Sequence, residues 1–359
     1  MPRRPIVAIL GVLGALILFA IVGGAYLFFQ WWDWYPAAAQ LPAAEKRARE
    51  LGLPMTAADI APNPPVKPEE NAAEPLRQLA AEMRKIKGVR EEVRSLERAM
   101  GEGRADDARR MLEKFDRAIQ AAEAIGARPG LDMGRDWDLG TGLLFPEWAS
   151  VKDISKVLDA RARLQKGVPE TAIRNVRLQN RLARLVGSEP NLISMLVHIA
   201  VRRISLGTVE RLAGEWKNDD AKLALLEREL TGRGPLPDFV HALRGEIYTG
   251  VATIRNLDLY DKKKKIDPRR LRRQGMPKSL HLRAYMARHL QTWNRAWPLV
   301  RSHQDDPLGA TEGLRSLEED VQTQKGASYL LLAMLYPVFD QSGLAIVTLD
   351  ANERATLSL

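Results

Sequence analysis

Ile6 to Phe29, IVAILGVLGALILFAIVGGAYLFF, runs for 24 positions without a charged residue. At ~1.5 Å of rise per residue, a helix of that length crosses the ~30 Å hydrocarbon layer of a bilayer. Three kinds of segment compete for such a run. A cleaved signal peptide has the right front, Met-Pro-Arg-Arg, and Ala37-Ala38-Ala39 resembles a cleavage site. Its apolar region, however, is only about 7–15 residues long. A buried core helix is rarely apolar without interruption over this distance. An uncleaved signal anchor fits best.

The flanks agree with an anchor. Tyr26, Phe28, Phe29, Trp31, Trp32, Trp34 and Tyr35 gather at its far end. Amphipathic rings prefer the headgroup layer, so Trp31, Trp32, Trp34 and Tyr35 are the expected membrane-interface residues. Arg3 and Arg4 mark the near end, and the positive-inside rule keeps that end in the cytoplasm. Lys46, Arg47 and Arg49 on the far side are offset by Asp33, Glu45 and Glu50. The expected placement is therefore a single pass through the cytoplasmic (inner) membrane, with the rest of the chain periplasmic.

That remainder has a helical composition. Ala, Leu, Arg and Glu dominate, and runs of Val, Ile and Thr with alternating polarity are nearly absent. The predicted fold class is all-α: an N-terminal transmembrane helix, then an irregular, solenoid-like array of α-hairpins. Three parts are expected: a tail and anchor over 1–35, a juxtamembrane helix and Pro-rich linker over 36–71, and a helical body over 72–359. Four prolines between Pro62 and Pro68 predict an extended spacer in the linker. In the body, helices are predicted over 72–100, 105–125, 146–166, 169–186, 220–230, 238–257 and 277–297. Gly101 and Gly103 break the first pair, Gly167 and Gly187 end later helices, and Ser188-Glu189-Pro190 is the expected cap of the next. Leu192 to Val201, LISMLVHIAV, is apolar on nearly every side and should lie at the buried centre. Asp306-Pro307 is expected to start a further helix, and 328–336 to be core.

Catalytic and metal signatures are missing. There is no cysteine, which removes disulfides, thiolate metal sites and cysteine nucleophiles together. No pair among His198, His241, His281, His289 and His303 has the spacing of a helical zinc site. His198 reads as a hydrogen-bonded core histidine, and His281 and His289 as residues on the face of a basic helix. Asp132, Asp136 and Asp138 surround Trp137, but DMGRDWDLG lacks the calcium-loop spacing. Catalytic residues, metal ligands and cofactors are accordingly all expected to be none.

The strongest local signal is charge. Residues 261–288 hold eleven Lys and Arg against two Asp, which matches the whole formal net charge of +9. Lys262, Lys263, Lys264, Lys265, Arg269, Arg270, Arg272 and Arg273 form its densest part. Basic runs are common on solvated surfaces, but this one should also attract polyanions. On a membrane-tethered body those are anionic lipid headgroups, at about 1 kcal/mol per basic residue, or acidic envelope polymers. Nucleic acid fits less well, because no aromatic is interleaved before Tyr285 and no known module is present.

The segment Asp136 to Gly214 resembles uncharacterised bacterial proteins with an N-terminal membrane anchor and an all-helical exported body. The shared features are Asp136-Trp137-x-Leu139-Gly140, Ala160-Arg161-x-x-Leu164-x-x-Gly167 and Glu189-Pro190-x-Leu192-Ile193-Ser194. The resemblance implies a fold but no assigned activity. It also implies a further C-terminal segment in some relatives that this chain lacks. The expected function is that of a membrane-anchored interaction or scaffolding protein of the cell envelope, held in the bilayer by Ile6–Phe29, with unknown protein partners. Two alternatives remain. One is an envelope enzyme acting on glycan or lipid through Asp136, Asp138 or Glu147. The other is a cytoplasm-facing nucleic-acid binder using residues 262–273.

Overall fold

A computed structural model of the chain describes residues 21–24, 28, 32, 34–231, 238–260, 279–303, 309, 315 and 339–357. Among them the regular elements are helices; no strand occurs, and an isolated backbone bridge links Asn71 and Gly130. The apolar stretch Ile6–Phe29 is described only at its end, where Ile21, Val22 and Phe28 are each more than half exposed. Lys262 to Arg273, and the elements expected at 306–307 and 328–336, lie outside the described residues.

The helices fall into two packed groups. Helix α1 (Leu41–Glu50) packs with the second group, and the first comprises α2 (Ala73–Lys85), α3 (Val89–Gly101), α4 (Ala105–Leu112), α5 (Asp116–Gly126) and α6 (Glu147–Leu164). Helices α2 to α6 enclose one core. In α2, Leu76, Leu79, Ala80 and Met83 are buried at the spacing of a single helical face. That face packs mainly on α5, while α3 packs on α4 and α6. The helix predicted over 72–100 is thus two, because Gly88 takes φ 66°, a left-handed conformation that turns the chain. Leu96, Ala108, Phe115, Ala118 and Ile119 all lie in this core, and Met100, Met111 and Leu112 pack against it partly buried.

The second group comprises α7 (Pro169–Gly187), α8 (Leu192–Glu215), α9 (Asp220–Thr231), α10 (Phe239–Tyr260), α11 (Leu280–Ser302) and α12 (Phe339–Leu357). The α7–α8 hairpin lines both cores: Leu182, Val186 and Val201 belong to the first, and Val176, Met195 and Ile199 to the second. Helix α8 touches α6, α7, α10 and α12, as its all-round apolarity predicts. By length and composition it is the described helix apolar enough to cross a membrane, and 61% of its most apolar window is buried inside the body.

The N-terminal segment is packed rather than free. Helix α1 docks on α11, where Asn294 Nδ2 donates to the Ala44 carbonyl at 2.9 Å. Leu41, Ala44, Ala48, Leu53, Met55 and Ile60 all join the second core. The proline run expected as an extended spacer also lies along the body. Arg244 clasps the carbonyls of Gly52 and Asp59 at 3.1 and 2.8 Å, and Val66 covers Gly130. The body thus holds this segment by Arg244 just upstream of the prolines and by the Gly130 surface against Val66 among them.

Candidate functional site

The acids singled out from sequence do not form one cluster. Glu147 opens α6 and pairs with Arg135 at 3.1 Å. Asp138 accepts a hydrogen bond from the Tyr248 hydroxyl of α10, and its carbonyl accepts one from Asn256. Burial, then the Asp138 hydrogen bond and charge, raise the Tyr248 phenol well above its ordinary range. Asp136 precedes the short turn Trp137–Gly142 and caps nothing with its side chain. Gly140 in that turn takes φ 56° and ψ −131°, and a β-carbon built on it would collide with Thr253 of α10. The loop is therefore stapled to α10 by backbone and side chain together.

Arg135, which the sequence did not mark, organises a buried ion cluster. Its side chain is 7% exposed and bonds Glu189 at 2.8 Å as well as Glu147. Its guanidinium also lies over Phe145 and Trp148, at 4.6 and 5.0 Å from the ring centres. Glu189 was expected to help cap α8. The cap is instead Asn191, whose Oδ1 accepts from Ser194 N at 2.7 Å. Burial pushes the Glu189 carboxyl up to about 7 against the opposing pull of Arg135, and the carboxylates of Glu147 and Asp132 push the same way. One guanidinium shared between two carboxylates cannot balance both charges out of water. Glu246 of α10 accepts from Leu192 N at 2.9 Å, and burial raises its carboxyl too.

Two histidines differ from expectation. His289 is not on an exposed face: it is 2% exposed, bonds the Ile247 carbonyl at 3.1 Å, and burial lowers it to about 4. His198 is in the core as expected, but neither ring nitrogen has a hydrogen-bond partner among the described residues. Burial, followed by the charges of Arg202 and Arg184, holds it neutral, down to about 3. His281 lies beside Trp34, with ring centres 5.8 Å apart. Of the expected membrane-interface residues, Trp34 is half-buried against Leu280 and Ala284, whereas Trp32 and Tyr35 are exposed. Trp31 lies outside the described residues.

Concave surface occurs elsewhere. A groove of about 390 Å³ runs past Arg90, Arg94, Lys152 and Lys156, but Asp153 sits half-buried among them. Lys156 is further paired with Glu97 and Arg94 with Glu91, so three acids offset most of its four cations. A second cleft, of about 340 Å³, lies where the proline run, the loop after α5 and the α7–α8 turn meet. Arg181 and Arg184 of α7 and His241 of α10 line it beside apolar walls, and no carboxylate among the described residues does. His241 is held by the Ser188 carbonyl at 3.0 Å and through its backbone by Asp238. No sequence window brings these three residues together. The one local hint is that Arg181, Arg184 and Leu185 share a helix face.

No family model, curated protein or solved structure matches this chain.

Proposed function

We propose that this protein is a membrane-tethered helical scaffold of the cell envelope, anchored by Ile6–Phe29, with a periplasmic body of irregular α-hairpins that binds other macromolecules. The observation carrying the tether is the exposure of Ile21, Val22, Phe28 and Trp32, each with over half its surface open beside a packed body. Large apolar side chains in one contiguous stretch call for a cover, and a bilayer suits this length and composition. Binding is favoured over catalysis because Glu147 and Asp138 are engaged by Arg135 and Tyr248 rather than left facing a cleft. Lys262–Lys265 with Arg269, Arg270, Arg272 and Arg273 then serves as a polyanion contact, to anionic lipid or acidic envelope polymer.

A C-terminal alkaline phosphatase fusion tests the topology, and detergent extraction tests the tether. Phosphatase activity together with recovery in the membrane fraction is the expected result. An inactive fusion, or full-length chain free in the aqueous fraction, overturns the reading. For the polyanion contact, neutralising the eight basic residues abolishes salt-sensitive retention on anionic liposomes. A parent chain that is not retained before replacement refutes that part.

A further inference from the structure

The cleft between the proline run and the α7–α8 turn brings two guanidinium groups together, with no carboxylate among the described residues that line it. Arg181 and Arg184 lie one helical turn apart on α7, and both are half-buried. Arg181 donates to the Arg128 carbonyl, which orients it without neutralising it. The Nε atoms of both arginines are buried and have no partner among the described residues. Asp238, three residues before His241, is occupied in holding the His241 backbone. Burial and the neighbouring Arg184 charge lower the Arg181 guanidinium, as expected of like charges drawn from water without a counter-ion. The remaining walls are apolar and stiff, including Pro129, Leu185 and Pro190.

We infer that this cleft is a binding site for a phosphate monoester carried on a short apolar stem. Two guanidinium groups match the several acceptor oxygens of a tetrahedral oxyanion, and guanidinium–phosphate bonds are charge-assisted. Proline and leucine walls bury the stem without asking for further polar partners. A cavity of about 340 Å³ accommodates the headgroup and a few carbons, not a long acyl chain. Nothing in this depends on the membrane anchor or on the basic cluster at 262–273.

Titration calorimetry on the full chain in neutral phosphatidylcholine nanodiscs, with hexyl phosphate as probe, tests the site. Hexyl phosphate is expected to bind at least tenfold more tightly than inorganic phosphate or hexanol, and to raise the melting temperature. Arg184→Gln, confirmed as folded by circular dichroism, should weaken it tenfold or more; Arg184→Lys, which keeps the charge but loses the fork, should fall between. Replacing Lys262–Lys265 by Gln should leave the affinity unchanged, which separates this site from the proposed polyanion contact. The inference is overturned if inorganic phosphate binds as well as the ester, since the stem would then play no part. Equal binding of hexanol, undiminished binding by folded Arg184→Gln, or loss only in the lysine variant would each overturn it as well.

Discussion

Gly245 of α10 lies so close to the carbonyl of Pro190 that a β-carbon built on it would sit 1.3 Å from the Pro190 oxygen. The contact is with backbone, which cannot swing aside as a flexible side chain can. Gly245→Ala must therefore push α10 away from the α7–α8 turn. Overpacking of this kind costs about 1–3 kcal/mol, and a backbone neighbour places it at the upper end or beyond. Urea denaturation should show a lower midpoint with an unchanged slope.

Arg135 is the sole cation bonded to both Glu189 and Glu147 among the described residues, so its loss strands two acids. Arg135→Met should destabilise the body by about 3–5 kcal/mol, the usual consequence of breaking a buried pair from one side. The double variant Arg135→Met, Glu189→Met should recover part of that loss, because residues in one ion network are not additive. A double-mutant cycle by chemical denaturation measures the coupling, and strict additivity would contradict it.

The same cluster predicts a pH dependence. With a folded value of about 7 against an ordinary 4.5, Glu189 holds its proton more tightly in the folded protein. Its contribution is fully present below about pH 4.5 and is lost as pH rises through 7. Relative to Glu189→Gln, the parent should lose about 2–3 kcal/mol of stability between roughly pH 5 and 8. His198 and His289 act in the opposite sense. Lowered to about 3 and 4 from 6.5, they stabilise above that ordinary value, and their contribution drains away as pH falls toward the folded values. Unfolding curves collected across this range for parent and Gln variant separate the two effects.

Helix α1 covers apolar surface on α11, so the N-terminal segment should be needed for solubility as well as for tethering. A chain beginning at residue 72 should aggregate or melt well below one beginning at residue 36. Light scattering and thermal unfolding compare them; equal behaviour would mean that α1 adds nothing to the second core.

Much of the helical pattern is visible in short windows. Leu76, Leu79, Ala80 and Met83 announce a face, Pro169 and Gly187 bracket α7, and the apolarity of Leu192–Val201 places α8 at the centre. Gly88 was harder to read, because a glycine is compatible with a helix until its φ turns positive. His289 looked like part of a basic surface, since its neighbours in sequence are charged and its neighbours in space, such as Ile247, come from another helix.

The candidate sites show the limit more sharply. Arg135 and Glu189 are 54 positions apart, and Asp138 and Tyr248 are 110 apart. Arg181 and His241 share a cleft only because α10 crosses the α7–α8 turn at Gly245. Helix formation answers to chemistry repeated every three or four residues, so composition and spacing suffice for it. A buried charge must instead find its partner wherever packing delivers one. That choice is made when whole helices dock, and no stretch of chain carries it alone.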